Sequence, residues 1–247
     1  MNIISIPLRY LLTFTIMLIG SGLMAQAFMT CSHRENVCIY AAGVSNSRCI
    51  DPQEFLRERN RLSAALQQAR HVDLFIYFGT CSVADADTKN TPYVLHKLAM
   101  EQLASSHSHH LIVRLPQVAG ATPNPHTLLN YLHAKIARSE AFSLWRDAKR
   151  NIIDVDDVAS IVNQLITDNA TQNITLNIAN PVSYSISDIV SVMEGIVGKR
   201  AIYNVAERGS EYPIGISRML TVLSKTSVKF GENYLEQVIG KYYGKVG

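Results

Sequence analysis

Apolar residues along the chain fall into two patterns, short unbroken runs and longer stretches where they recur at helical spacing. "VCIYAAGVSNS" (37–47), "VDLFIYFG" (72–79) and "LIVRLPQVAG" (111–120) are runs of the first kind, and the first ends in glycine and small polar residues. Buried parallel strands have this form. "DPQEFLRERNRLSAALQQAR" places Phe55, Leu62, Ala65 and Leu66 among charged positions, with Asp51 as cap and Pro52 at the first helical position. This predicts an amphipathic helix with its charges on the solvent side. "PYVLHKLAMEQLASS" predicts a second helix before the third strand. Strands alternating with helices give a parallel sheet with helices on both faces, and ligands of such sheets lie beyond the carboxyl ends of the strands.

The opening stretch has two readings. "MNIISIPLRYLLTFTIMLIGSGLMAQAF" carries an early arginine, an apolar segment and a small-residue "AQA", as a secretory signal does. Alternatively a strand runs from about Phe14 to Ile19 and "GSGLMA" opens a helix, so that Gly20, Gly22, Leu23 and Ala25 form a G-x-G-x-x-A dinucleotide loop. In that loop the first glycine permits the turn, the second lets the backbone approach a pyrophosphate, and the alanine allows close helix packing. The helix N-terminus adds partial positive charge.

Composition narrows the classes. At 247 residues and 47% hydrophobic, the chain can bury a large core as one α/β domain with a small appendage. Its 23 basic and 20 acidic residues are dispersed, which argues against a nucleic-acid or membrane partner. Cys31, Cys38, Cys49 and Cys81 have no metal-ligand spacing and read as reduced thiols of a cytoplasmic protein.

Candidate chemistry centres on Thr80, Tyr93 and Lys97. Tyr93 and Lys97 are four positions apart, so they share one helix face. A free tyrosine, with a pKa of about 10, is ionised in roughly one molecule per thousand at neutral pH. A nearby lysine and a cationic nicotinamide ring would favour the phenolate and make Tyr93 a general base, with Thr80 positioning the same substrate oxygen. The plain alternative is an ordinary helix pair, since Y-x-x-x-K recurs by chance. The strand–hydroxyl turn and the glycine loop upstream favour chemistry.

At these residues the chain resembles the extended, NAD-dependent epimerase/dehydratase branch of the short-chain dehydrogenase/reductase superfamily. "FIYFGTCSV" resembles its strand ending in hydroxyl residues, and "YVLHK" its Tyr-x-x-x-Lys. "VRLPQVAG", "RNIIDVDDVA" and "LNIANPVSYSISDIV" resemble later elements in the family's order. The resemblance implies Thr80, Tyr93 and Lys97 as catalytic residues, with Lys97 and Tyr93 also holding the nicotinamide ribose. It implies Gly20, Gly22, Leu23, Ala25, Ala41, Ala42 and Gly43 as cofactor contacts for NAD or NADP, and Ser82, Asn124 and Arg150 as substrate contacts. It also favours the strand reading of the N-terminus, since cleavage after Ala27 would delete the first strand and the loop.

The implied fold is α/β, a Rossmann-like parallel sheet with helices on both faces, shortened after the first helix, plus a small C-terminal lobe. Its expected division is a core over 1–165, one further strand near 174–179, and a mainly helical substrate lobe over 180–247. The implied activity is epimerisation, dehydration or reduction of a nucleotide sugar, with a homodimer as one assembly the resemblance allows. A dinucleotide-binding sensor is the alternative, disfavoured because a sensor has no need of a base.

Two departures from the family pattern stand out. Only the 14 residues 23–36 separate Gly22 from Val37, where a full dinucleotide fold inserts two more strands. A right-handed crossover in that space conflicts with simply deleting two strands, so the local topology is open. His33 and Arg34 there are either adenosine contacts or solvated loop residues. The second departure is the spacing of 13 positions from Thr80 to Tyr93, which shortens the loop beside the substrate. No metal site is expected: His107, His109 and His110 read as helix-end imidazoles, and Asp157 as the cap of a helix starting at Val158.

Overall fold

The structure, a computed structural model, describes residues 17–29, 36–168 and 173–244. Residues 14–16 of the expected first strand, Cys31, His33 and Arg34 lie outside the described residues. The chain opens with β1 (Met17–Ile19), α1 (Leu23–Met29), β2 (Val37–Tyr40), α2 (Pro52–Gln68), β3 (Leu74–Thr80), α3 (Pro92–Ala104) and β4 (His110–Leu115). β5 (Gln117–Ala119), α4 (Leu128–Ala137), β6 (Phe142–Trp145), β7 (Lys149–Arg150), β8 (Ile152–Asp154), α5 (Val155–Asp168) and β9 (Ile174–Asn177) follow. The last elements are β10 (Tyr184–Ser185), α6 (Ile186–Val197), β11 (Tyr203–Ala206), α7 (Ser217–Leu223) and α8 (Tyr234–Tyr243).

The central sheet is parallel in the order β1-β2-β3-β4-β9. Its runs are apolar without interruption because both faces are covered. Val37, Ile39, Leu74, Ile76, Phe78, Leu111 and Val113 pack with Phe28 of α1 and the apolar faces of α5 and α7. The alternate residues Cys38, Tyr40, Phe75, Tyr77 and Ile112 pack with Leu62 and Ala65 of α2 and Met100 and Ala104 of α3. Helix α1 therefore lies on the opposite face from α2 and α3, while all three connections step the same way across the sheet. The β1–α1–β2 crossover consequently has the reverse hand of the next two. Since about 98% of such crossovers are right-handed, the exception falls on the shortened segment, and β1 becomes the sheet edge among the described residues.

Two expectations are corrected. Residues 111–120 are not one strand: Pro116 lacks the N–H that would continue the ladder, and β5 turns away to pair with β8 in a separate sheet. The helix expected from Val158 starts at Val155, so Asp157 lies inside its first turn. The Asp154 carboxylate accepts from the Asp156 N–H at 2.9 Å, while Asp157 accepts from the Tyr234 hydroxyl at 2.6 Å.

A second core gathers Leu129, Leu132 and Ile136 of α4, Phe142 and Leu144 of β6, Ile189, Val190 and Met193 of α6, and Leu235, Val238 and Ile239 of α8. Helix α7 packs back on the first core through Met219 and Val222. Among the described residues no helix is long and apolar enough to cross a membrane.

Candidate active site

Thr80 ends β3, and its hydroxyl accepts from the Ser82 N–H at 3.1 Å, opening a 3₁₀ turn over Cys81–Ala84. Thr91 caps α3 and Pro92 occupies its first turn, which fixes the helix so that Tyr93 and Lys97 point inward. Both are buried, at 8% and 3% exposure, and the Thr80 hydroxyl lies beside the Tyr93 phenol. Tyr93 and Lys97 thus lie on one buried face of α3, with Thr80 at the strand end beside Tyr93.

Lys97 has a further partner. Its ammonium donates to Glu58 Oε1 at 3.3 Å and lies 4.6 Å from the centre of the Tyr77 ring. Glu58, on α2 and 3% exposed, also accepts from the Val44 N–H at 2.7 Å, from the Tyr77 hydroxyl at 2.7 Å, and pairs with His96 Nε2 at 3.0 Å. Burial works against its charge, but Lys97, His96, Val44 and Tyr77 together outweigh that and hold its carboxyl down to about 2. Burial lowers the Lys97 ammonium against the support of Glu58. Burial first, then Glu58, push the Tyr93 phenol well above the ordinary tyrosine value, opposed by Thr80.

The glycines lie at the neighbouring strand ends. Gly20 has φ +136°, and a Cβ there would strike the Ala41 carbonyl, so no side chain fits. The Ala41 N–H donates to the Ile19 carbonyl at 2.7 Å, tying the Ala41–Gly43 segment to that turn. A Cβ on Gly22 would meet no atom within 4 Å, which leaves open space for a ligand at that position. At Gly43 a Cβ would lie 2.8 Å from Lys97 Nζ and 2.9 Å from Glu58 Oε1, so the backbone passes directly over the ion pair. Ala25 is buried, as close helix packing requires, and Leu23 lies against Gly120. These residues fit a dinucleotide.

The sequence profile of the NAD dependent epimerase/dehydratase family matches residues 25–179. The chain belongs to that family. The UDP-glucuronic acid 4-epimerase of Bacillus cereus, solved with UDP-glucuronic acid and NAD, is similar at 21% identity and TM-score 0.68, over 85% of this chain and 74% of that one. The dTDP-glucose 4,6-dehydratase of Bacillus anthracis, solved with NAD, is similar at 15% identity and TM-score 0.64, over 83% and 71%. RMD from Pseudomonas aeruginosa, solved with NADPH, is similar at 17% identity and TM-score 0.63, over 95% and 86%. At these identities the likeness is one of fold. A comparison with curated protein sequences finds no match.

Of the expected substrate contacts, Ser82 and Arg150 converge on one phenol while Asn124 stands apart. Ser82 lies beside Tyr212, which arrives from the segment between β11 and α7, and the Arg150 guanidinium acts on the same phenol by its charge. Burial, then the Cys81 thiol, push Tyr212 up to about 12 against Ser82 and Arg150. Arg150 itself donates to the Lys149 carbonyl at 2.7 Å. Asn124 instead faces the loop after β2, where its amide donates to Ser45 Oγ at 3.2 Å. Ser210 donates to Asp87 Oδ2 at 2.7 Å, so the 207–216 segment lies along the shortened loop before α3. Sequence reasoning missed Glu58 and Tyr212. For Glu58 there was a signal, since it lies three after Phe55 and four before Leu62, a charge on the apolar stripe. For Tyr212 there was none.

His107 caps a neighbour: its imidazole meets the Ala69 carbonyl, at the C-terminus of α2, at 3.0 Å. Among the described residues no group of three or more His, Cys, Asp or Glu could hold a metal ion.

Proposed function

We propose that the chain is an NAD(P)-dependent epimerase, dehydratase or reductase of a nucleotide sugar, serving surface-polysaccharide precursor synthesis in the cytoplasm, with a homodimer as its assembly. The observation that carries this reading is the burial of Tyr93 and Lys97 on one face of α3, beside Thr80 and under Gly43, on the same rim as the Gly20–Gly22 turn. Gly20, Gly22, Leu23, Ala41, Ala42 and Gly43 would line the dinucleotide, with Ala25 packing beneath, and Lys97 and Tyr93 would reach its nicotinamide ribose. When bound, the dinucleotide supplies the hydride acceptor or donor. Thr80 holds the sugar hydroxyl, and Tyr93 takes its proton in the oxidising direction and returns it in the reducing one. Ser82, Asn124 and Arg150 would orient the nucleotide sugar, joined by Tyr212. The sugar-nucleotides and cofactors bound by the similar solved structures support this assignment. The division into a core over 1–165 and a substrate lobe over 180–247 is proposed with it, and α6 and α8 supply the lobe's packing.

A second reading, a dinucleotide-binding sensor without turnover, is favoured by one observation: among the described residues β1 is the sheet edge. Purified protein mixed with NAD or NADP and a panel of nucleotide sugars separates the two. A change in product mass establishes the enzyme; dinucleotide binding with no product across the panel establishes the sensor.

A further inference from the structure

Resting on the reading of Tyr93 as the base, the structure points to a role for the buried carboxylate on α2. We infer that Glu58 is a positioning residue: it anchors the Lys97 ammonium and cancels its charge within the protein, so that Tyr93 releases its proton only when the cationic ring of an oxidised dinucleotide arrives.

The geometry makes both parts of this necessary. A lysine at 3% exposure is costly as a lone charge, and Glu58 is its ion-pair partner. Glu58 cannot swing away, because the Val44 N–H, the Tyr77 hydroxyl and His96 bind it from a loop, a strand and a helix. His96 is itself stacked on Phe55 with ring centres 4.4 Å apart. The other ionisable groups around the pair are accounted for. Tyr40 on β2 donates to the Glu58 carbonyl at 3.3 Å, with Arg61 of α2 acting on that phenol by its charge. Glu101 on α3 is held by Arg114 of β4 at 2.7 Å, a second closed pair. Lys97 and Glu58 therefore form a closed pair beside Tyr93 in which the carboxylate raises the phenol, and the lysine alone does not favour the phenolate. Gly43 keeps the rim over this pair free of a side chain, so an arriving ribose can reach Lys97 without displacing Glu58.

The test uses the full chain, with NAD and NADH as probes. Calorimetry in two buffers of different ionisation enthalpy, repeated across pH, reads the protons released on binding. Wild-type protein is expected to release a proton on binding NAD and none on binding NADH, and Tyr93→Phe to release none with either. In Glu58→Gln the Lys97 charge is uncompensated, and the midpoint of release falls by about one pH unit. Glu58→Asp keeps the charge and returns the midpoint toward the wild-type value. A Glu58→Gln midpoint that stays put or rises overturns the inference and leaves Tyr93 as the base. Release that persists in Tyr93→Phe removes the base reading and the inference with it, as does a chain that binds no dinucleotide.

Thermal unfolding without cofactor gives a second readout. Glu58→Gln is expected to lower the midpoint by about 5–10 °C. Glu58→Gln combined with Lys97→Met recovers most of that loss, because two neutral side chains replace a neutral pair. If the second substitution restores nothing, Glu58 acts only through its hydrogen bonds and charge compensation is wrong. The double variant decides this even where Glu58→Gln alone does not fold.

Discussion

The two halves of the rim are built differently. Around the end of β3 every element is fixed by local caps and by burial: Thr80 opens its turn, Thr91 and Pro92 start α3, and Tyr93, Lys97 and Glu58 are buried with partners. Around the end of β1, the sheet edge among the described residues, the crossover has the reverse hand of its neighbours. The half proposed to carry the chemistry is closed by local contacts, while the half that would carry the adenosine is reached through the shortened segment 23–36. An ordinary dinucleotide sheet places its crevice where the strand order reverses. Here the order among the described residues runs 1-2-3-4-9 without reversal. The proposed chemistry does not depend on that edge, because the groups that would act on the reacting atoms come from β3 and α3.

Substitutions can break or sharpen that contrast. The largest effect belongs to the half at β3: Tyr93→Phe keeps the ring's packing, removes the ionisable oxygen, and is expected to cut turnover by about 10²- to 10⁴-fold while leaving nucleotide-sugar binding little changed. Steady-state kinetics decides it, and full retained turnover would end the base reading.

Next comes the acid sensitivity of the Glu58 pair. The folded carboxyl titrates near 2 against an ordinary value of 4.5. A depressed carboxylate stabilises the fold above its unfolded pKa, and that stability is lost as pH falls from about 4.5 toward 2. It amounts to about 3 kcal/mol, the free-energy equivalent of the shift. Urea unfolding at pH 6 and pH 3 should show wild type losing about 2 kcal/mol of this increment, the part that goes between 4.5 and 3, and Glu58→Gln losing much less.

The two glycines of the half at β1 should separate cleanly. Gly20→Ala meets the Ala41 carbonyl at positive φ and is expected to destabilise the fold by about 1–3 kcal/mol, read as a lower urea midpoint. Gly22→Val projects into open space, so stability should hold while NAD or NADP binding is lost. Unchanged dinucleotide affinity in Gly22→Val would remove the cofactor from this turn. The smallest effect is expected at Thr80→Val, which removes one hydrogen bond and should cost about tenfold in turnover, or about 1 kcal/mol.

What could be read from the chain was whatever neighbouring residues decide among themselves. Continuous apolar runs announced strands covered on both faces. Asp51 with Pro52 announced the start of α2, and the four-residue spacing of Tyr93 and Lys97 put them on one helix face. Pro116 stood in plain view inside "LIVRLPQVAG", yet the run was read as one strand, because a proline can end a ladder or merely border it and only the partner strand, β8, decides. Asp157 was an acceptable cap by type, but Asp154 is equally good and packing starts the helix at Val155.

The sequence by itself determined the strand and helix order, the hydroxyl–tyrosine–lysine set and the glycine turn, since each depends on contacts within a few residues. Tertiary structure alone decided the rest. The face taken by α1, and hence the reversed crossover, depends on which side of the sheet its few apolar residues, chiefly Phe28, bury best against α5. The pairing of Glu58 with Lys97 joins residues 39 apart, and the arrival of Tyr212 beside Ser82 depends on how the second core seats against the first. Both are products of burial: once α2 and α3 pack on one face of the sheet, a carboxylate on the apolar stripe and a lysine facing it must meet, because neither has water to turn to.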